Sequence, residues 1–176
     1  MSIQPVPRPQ RPSGIYSETI HLRTQRSQQF VDITDLVAER VRRARITGGI
    51  VNVQSCHTTA SILVNEFEPE LLLDFGELTE RWAPTDLGYR HDQRPMPPGE
   101  RVNGHGHARA ILLGASATLN VDQGRLCLGR WQRILLAELD GPQRRGISIV
   151  VLGVPASPSD LPARWPQVAS IERKGA

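Results

Sequence analysis

Four of the five histidines, His57, His91, His105 and His107, fall at places that do not read as the interior of a regular element: a strand-to-turn junction, a long proline-punctuated loop and a helix start. Imidazole titrates closest to neutral pH and is the commonest protein metal ligand, so convergence of several rings would support metal binding or proton transfer. Taken singly, each is equally compatible with a structural role. Within Asn103-Gly104-His105-Gly106-His107 the backbone decides the chemistry. If the segment is extended, both imidazoles project from one side and can share a ligand. If it is helical, positions two apart point about 200° apart and only one ring reaches a given site. Gly104 and Gly106 loosen the backbone and leave both conformations open.

His57 continues the alternation of Val51, Val53 and Ser55 and so shares their inward face while the strand persists. Thr58 and Thr59 follow at once, either as an oxyanion-binding turn or as a turn stabilised by its own hydroxyls. Glu66, Asp74 and Asp92 are carboxylates that can orient imidazoles or simply sit in solvent. Of the 21 basic residues only Lys174 is a lysine. The arginine run within Glu39–Arg45 overlies an apolar stripe, so it reads as the solvated face of an amphipathic helix. With no nucleic-acid-binding motif and few aromatic residues, a nucleic-acid partner is not expected.

The elements that must position these residues follow from periodicity. Ser17–Thr24 and Gln29–Ile33 alternate and predict an opening β-hairpin. Thr34 can cap a helix with Leu36, Val37, Val41 and Ala44 on one face, stopped by Gly48–Gly49. Ile50–Cys56 and Ser61–Val64 read as strands. Leu71, Leu72, Phe75, Leu78 and Trp82 predict a second helix over Pro69–Trp82. Ala83–Val102 has no periodicity and reads as a functional or mobile loop. Asn103 can cap a third helix ending at Leu113, closed by Gly114. Ala117–Val121, Arg125–Leu128, Arg130–Leu139 and Gly146–Leu152 read as a meander of antiparallel strands. Strands with hairpin connections and about three helices predict an α+β fold.

A chain of 176 residues with 39% hydrophobic and 22% charged residues suits one domain with one core. Residues 1–14 and 154–176 are proline-rich tails, which places the folded unit at 15–153. Cys56 and Cys127 lack metal-site spacing and read as buried free thiols in a reducing compartment. No apolar stretch is long enough to span a bilayer and the N-terminus lacks a signal-like apolar region, so a soluble cytoplasmic protein is expected.

The blocks SCHTTASILVNE, YRHD, NGHGHARAILLG and DQGRLCLGRWQRILLAELDGPQRRGISIVVLG, in that order, resemble the YjbQ-like family, often labelled secondary thiamine-phosphate synthases. The resemblance covers about residues 15–153. It implies a mixed or mostly antiparallel sheet curved into a sandwich-like body, a homotrimer, and a histidine-bound divalent ion, zinc, with magnesium the alternative for a pyrophosphate substrate. It implies His57, His105 and His107 as metal ligands; His57, His91 and Glu66 as catalytic groups; and Thr58, Thr59, Asn103, Trp131 and Gln132 against a phosphorylated small-molecule substrate, to which this chain's own Arg130, beside the Trp131–Gln132 pair, is added as a candidate. The implied reaction joins a pyrimidine pyrophosphate to a thiazole phosphate with release of pyrophosphate. Metal-assisted hydrolysis of a phosphorylated or acyl substrate, or non-catalytic sensing of an anion or metal, are the alternatives. The chain departs from the family pattern at Arg130, where Thr is usual, and at Gly104, where Ala is usual.

Overall fold

The computed structural model describes residues 14–157. Two antiparallel sheets form an α+β sandwich. Strands β1 (Gly14–Arg23), β3 (Ile46–Ser55), β5 (Ser116–Asp122), β6 (Arg125–Leu126) and β8 (Arg144–Pro155) make one sheet in the order β1-β8-β3-β5-β6; β2 (Gln29–Asp32), β4 (Ala60–Asn65) and β7 (Arg133–Glu138) make the other, with β7 central. Helix α1 (Thr34–Ala44) buries Val37 and Val41 in the core, beside Val51, Val53, Ile147, Ile149 and Val151 of the larger sheet and Ile62, Ile134 and Leu136 of the smaller. Full burial of each such aliphatic side chain contributes about 1.5–3 kcal/mol.

Helices α2 (Pro69–Trp82) and α3 (Gly104–Leu113) lie on the opposite face of the small sheet. Phe30 of β2 meets Phe75 of α2 edge-on at 5.8 Å. The Ser61 hydroxyl of β4 donates to the Ala110 carbonyl of α3 at 3.4 Å. Strand β7 is therefore covered on both faces, which is why Ile134, Leu135, Leu136 and Ala137 form an unbroken apolar run with no exposure. Helix α2 begins where Pro69 takes the first helical position and the Glu68 carboxylate accepts from the Glu70 and Leu71 amides.

Several sequence expectations are corrected. Strands β1 and β2 are not a hairpin: β1 pairs with β8 and β2 with β7, in different sheets. The last four strands are not a meander either, since only β5 and β6 pair in succession, while β7 and β8 return to separate sheets. Alternation sets which face a residue occupies, but not which sheet the strand joins. Gly48–Gly49 does not stop α1. Arg45 does, in the left-handed region at φ 51°, and Gly49 lies within β3, where a Cβ would stand 2.1 Å from the Leu152 carbonyl. Cys56 and Cys127 are free but exposed, because Cys56 follows Gln54 on the outward-facing parity of β3. The proline-rich tails lie outside the described residues except for Gly14 and residues 154–157, of which Val154 and Pro155 belong to β8. Among the described residues no helix is long and apolar enough to cross a membrane.

Candidate functional site

Three loop-borne segments meet at the edge where β7 ends. The 83–102 connection contains a short 3-10 turn, Arg90–Gln93, which carries His91 and Asp92. One carboxylate oxygen of Asp92, Oδ1, accepts from the Asn103 amide at 3.1 Å and the Gly104 amide at 2.9 Å. The expected side-chain cap by Asn103 is therefore supplied by Asp92, which fastens the turn to the first residues of α3. Gly106 lets α3 approach the end of β7, since a Cβ there would stand 2.8 Å from the Leu139 carbonyl. The β7–β8 connection brings Asp140, whose carboxylate accepts from Asn103 Nδ2 at 2.8 Å and faces the Arg101 guanidinium at 3.8 Å.

This assembly places the His91 and His107 rings 4.8 Å apart, inclined at 62°. They line a cavity of about 350 Å³ together with Arg94, Glu100, Arg101, Asn103, Asp140 and Gln143. Arg101 is held by the Asp140 and Gly141 carbonyls at 3.3 and 3.1 Å, and Arg94 by the His91 carbonyl and the Glu100 carboxylate. Burial, and then the neighbouring His91, lower the pKa of His107 below the ordinary imidazole value. A neutral, partly buried imidazole beside two guanidinium groups can bind an anion and accept a proton from it.

Because α3 is helical from Gly104, His105 and His107 face different spaces. His105 lines a second cavity of about 360 Å³ with Gln28, Glu80, Thr85, Arg101, Arg109 and Asp140. Burial and then the Arg109 cation lower its pKa as well. His57 is engaged elsewhere: its Nε2 accepts from the Gly146 amide at 2.8 Å, replacing a ladder hydrogen bond just past the end of β3. Burial, followed by Arg145, lowers its pKa, which agrees with a neutral ring accepting through Nε2. The structure thus does not bring His57, His105 and His107 together, and among the described residues no group of three or more His, Cys, Asp or Glu side chains could hold a metal ion. The divalent-ion set implied by the resemblance does not fit the side chains of one chain.

Apart from Asn103, the remaining expected site residues line neither cavity. Thr59 is buried and accepts from Arg145 through its hydroxyl at 3.0 Å and its carbonyl at 3.2 Å, while Thr58 is exposed in the turn. Glu66 donates its amide to the Asn65 side chain in the loop after β4. Arg130 stacks over Trp131 at 4.7 Å on the surface, and Gln132 Oε1 accepts from the Gly129 amide to close their turn. Asn103 alone of the expected substrate-binding set lines the first cavity. Arg94 and Arg101 carry no periodic or motif signal; Asp140 and Gln143 fall within the last of the four blocks that carry the resemblance, where Asp140 reads as part of a turn and neither is marked as a site residue.

The family model described as UPF0047 protein YjbQ-like matches residues 18–154. A UPF0047 protein of Methanothermobacter thermautotrophicus is 40% identical over 141 residues, spanning 80% of this chain and 94% of that protein. The UPF0047 protein YugU of Bacillus subtilis is 31% identical over 137 residues, spanning 77% and 98%. A crystal structure of a YbjQ-like protein of unknown function from Sulfolobus solfataricus matches with a TM-score of 0.75 at 34% identity, covering 81% of this chain and 99% of that one. These proteins are named for the family alone, and the Sulfolobus protein is described as of unknown function. That corrects the expectation of a metal-binding, thiamine-phosphate synthase-like transferase: none of these proteins lends support to that activity, nor to the hydrolase and sensor alternatives.

Proposed function

Since the chain belongs to the YjbQ-like UPF0047 family, whose name carries no activity, we propose from the geometry that the His91–His107 pair is an acid–base site for a small anionic molecule. The observation that carries this reading is the two imidazoles 4.8 Å apart on a cavity that Arg94 and Arg101 also line. The guanidinium groups hold a phosphate or carboxylate, for which their planar donor forks are suited. His107 accepts a proton from the bound molecule and His91 returns one to another of its atoms, so the net reaction is a proton shift within the substrate and needs no co-reactant. The class is an isomerisation or enolisation next to a carbonyl.

The test is deuterium incorporation from heavy water into a panel of phosphorylated and carboxylate-bearing ketones, aldehydes and hydroxy acids, followed by proton NMR. Wild type is expected to catalyse exchange on at least one member, and His107→Gln and His91→Gln to slow it by about 10²–10⁴-fold. Exchange undiminished in both variants would overturn the assignment, as would absence of exchange across the panel.

The trimer implied by the resemblance enters as part of the same proposal. Ile15, Leu152 and Ile50 stand in one cross-strand row over β1, β8 and β3, each at least 39% exposed, and such a row favours self-association. Sedimentation equilibrium reading one chain mass, with Leu152→Asp unchanged from wild type, would count against it.

A further inference from the structure

Both cavities have matched charges, but the cations differ in freedom: the Arg94 and Arg101 side chains of the first are 44% and 45% exposed and can turn to a bound anion, whereas Arg109 of the second is locked in place. Arg109 is 3% exposed, and its guanidinium donates to the Ala83 carbonyl at 3.0 Å, to Thr85 Oγ1 at 3.1 Å, to Gln28 Oε1 at 3.4 Å and to the Glu80 carboxylate. Arg101 faces Asp140. An anion entering here would meet Glu80 and Asp140, and a cation would meet Arg109 and Arg101, so a neutral group is favoured. Of the three buried side-chain polar atoms without a hydrogen-bond partner among the described residues, two belong to these cavities: His105 Nδ1, on the ring that lines this one, and Asn103 Oδ1, on the side chain that lines the first; the third, Arg40 Nε, is on α1. A buried polar atom without a partner loses about 1–3 kcal/mol of solvation, which a ligand hydroxyl restores once the side chain turns the atom, closed to solvent here, toward the cavity. Asn103 Oδ1 can only accept, because Nδ2 is turned to Asp140, so it calls for a donor. Hydroxyl groups both donate and accept and can answer either atom.

Arg101 and Asp140 line both cavities, so they form the shared wall between them. We infer that the two cavities are one bipartite site for a hydroxylated anion, a polyol phosphate or polyol carboxylate. Its charged end sits with Arg94, His91 and His107, and its neutral hydroxyl-bearing part passes the Arg101–Asp140 wall to reach His105. The inference rests on the anion reading of the first cavity and adds the chemistry of the rest of the substrate. At about 350 and 360 Å³, each compartment is within the roughly 300–1,000 Å³ usual for small-molecule sites.

Calorimetric titration of the full chain with four probes tests it: inorganic phosphate, butyl phosphate, glucose 6-phosphate and gluconate. Wild type is expected to bind glucose 6-phosphate about five- to tenfold more tightly than butyl phosphate, the range of one or two recovered hydrogen bonds. His105→Ala is expected to bring that ratio close to one, and His105→Gln, which keeps a polar atom, to restore part of it; a melting curve for each variant verifies folding. Gluconate binding as tightly as glucose 6-phosphate would identify the carboxylate as the source of charge, and weaker binding the phosphate. Equal affinity for the butyl and glucose phosphates, or a ratio untouched in folded His105→Ala, overturns the bipartite site. If inorganic phosphate still moves the His91 and His107 ring resonances in that case, the first cavity keeps its reading. If no probe binds, both readings fall.

Discussion

Glu138 is the group whose alteration tests the architecture behind the site most directly. It is fully buried and accepts from Arg145 Nε at 2.7 Å, from a second Arg145 nitrogen, from the Thr24 hydroxyl at 2.8 Å, and from the amides of Leu139 and Asp140 at 2.9 Å each. Burial pushes its carboxyl upward, but these hydrogen bonds and the Arg145 charge outweigh burial and hold its pKa below the usual range. Glu138→Gln removes the anion and leaves Arg145, 4% exposed, as an uncompensated buried cation. Removing one partner of such a pair costs about 3–5 kcal/mol. At about 2–4 °C per kcal/mol for a domain of this size, the melting temperature should fall by roughly 6–20 °C. The double variant Glu138→Gln/Arg145→Met removes both charges while Gln Oε1 can still accept from the two amides, so it should recover more than half of that loss. Differential scanning calorimetry at neutral pH reads all three proteins. A fall below about 3 °C in the single variant, or a double variant no better than the single, would refute the claim that the pair is dry and interdependent. The sign with pH follows from the lowered pKa. The stabilisation is fully present above the ordinary glutamate value of about 4.3 and is lost as pH falls through the lower folded value.

His57 gives a second pH test of the same sign in a different window. Its folded pKa is lowered, so its contribution is complete above about 6.5 and is lost as pH falls below that; wild type should lose melting temperature relative to His57→Gln between pH 7 and 5 (~2 units across the imidazole range), and parallel curves would count against the Gly146 hydrogen bond. Asp92→Ala removes the carboxylate that caps α3 and should cost about 0.5–2 kcal/mol by denaturant titration, with weaker phosphate binding because His91 and His107 lose their common anchor. Gly104→Ala places a Cβ 2.5 Å from Tyr89 Cβ and 2.9 Å from Asp92 Oδ2; the expected loss is about 1–3 kcal/mol, and a melting temperature equal to wild type would show that Tyr89 yields freely.

Helices were legible where local chemistry fixes them. Pro69 and Glu68 mark the start of α2, and the five apolar residues behind them fall on one face, so its bounds could be read directly. The end of α1 could not, because Arg45 adopts a left-handed conformation that its side chain does not advertise, while Gly48–Gly49 serves close strand packing instead. Sheet membership was hidden for a similar reason. A strand such as β7 that is buried on both faces reads as apolar, and nothing in Arg133–Glu138 names β2 and β4 as its neighbours. For the site, the two conformations of the NGHGH segment had opposite consequences, and the helical one separates His105 from His107. His91 and His107 belong to segments 16 positions apart in the chain, fastened together by the Asp92 carboxylate, which is a tertiary contact without a periodic trace.

The separation of His57 from the other rings explains the form of the site. The charges of the Glu138–Arg145 pair act on His57, and Glu138 Oε1 also accepts from the Asp140 amide. Asp140 then fixes Asn103 and faces Arg101. The buried pair therefore sets the position of the one residue that both cavities share on the β7–β8 connection, although it lines neither itself. Rigid supporting contacts of this kind hold binding groups in place without touching the bound molecule. If so, Glu138→Gln should weaken glucose 6-phosphate binding even at temperatures where the variant is fully folded. Thr59, one of the residues singled out by sequence, acts at the same remove: its carbonyl and hydroxyl steady Arg145. Thr59→Val should reproduce a smaller share of the same defect, because the carbonyl contact survives the substitution, whereas Thr58→Val, on the exposed side of the turn, should leave binding as it is. A Thr58 effect larger than the Thr59 effect would move the binding surface to the turn and away from α3.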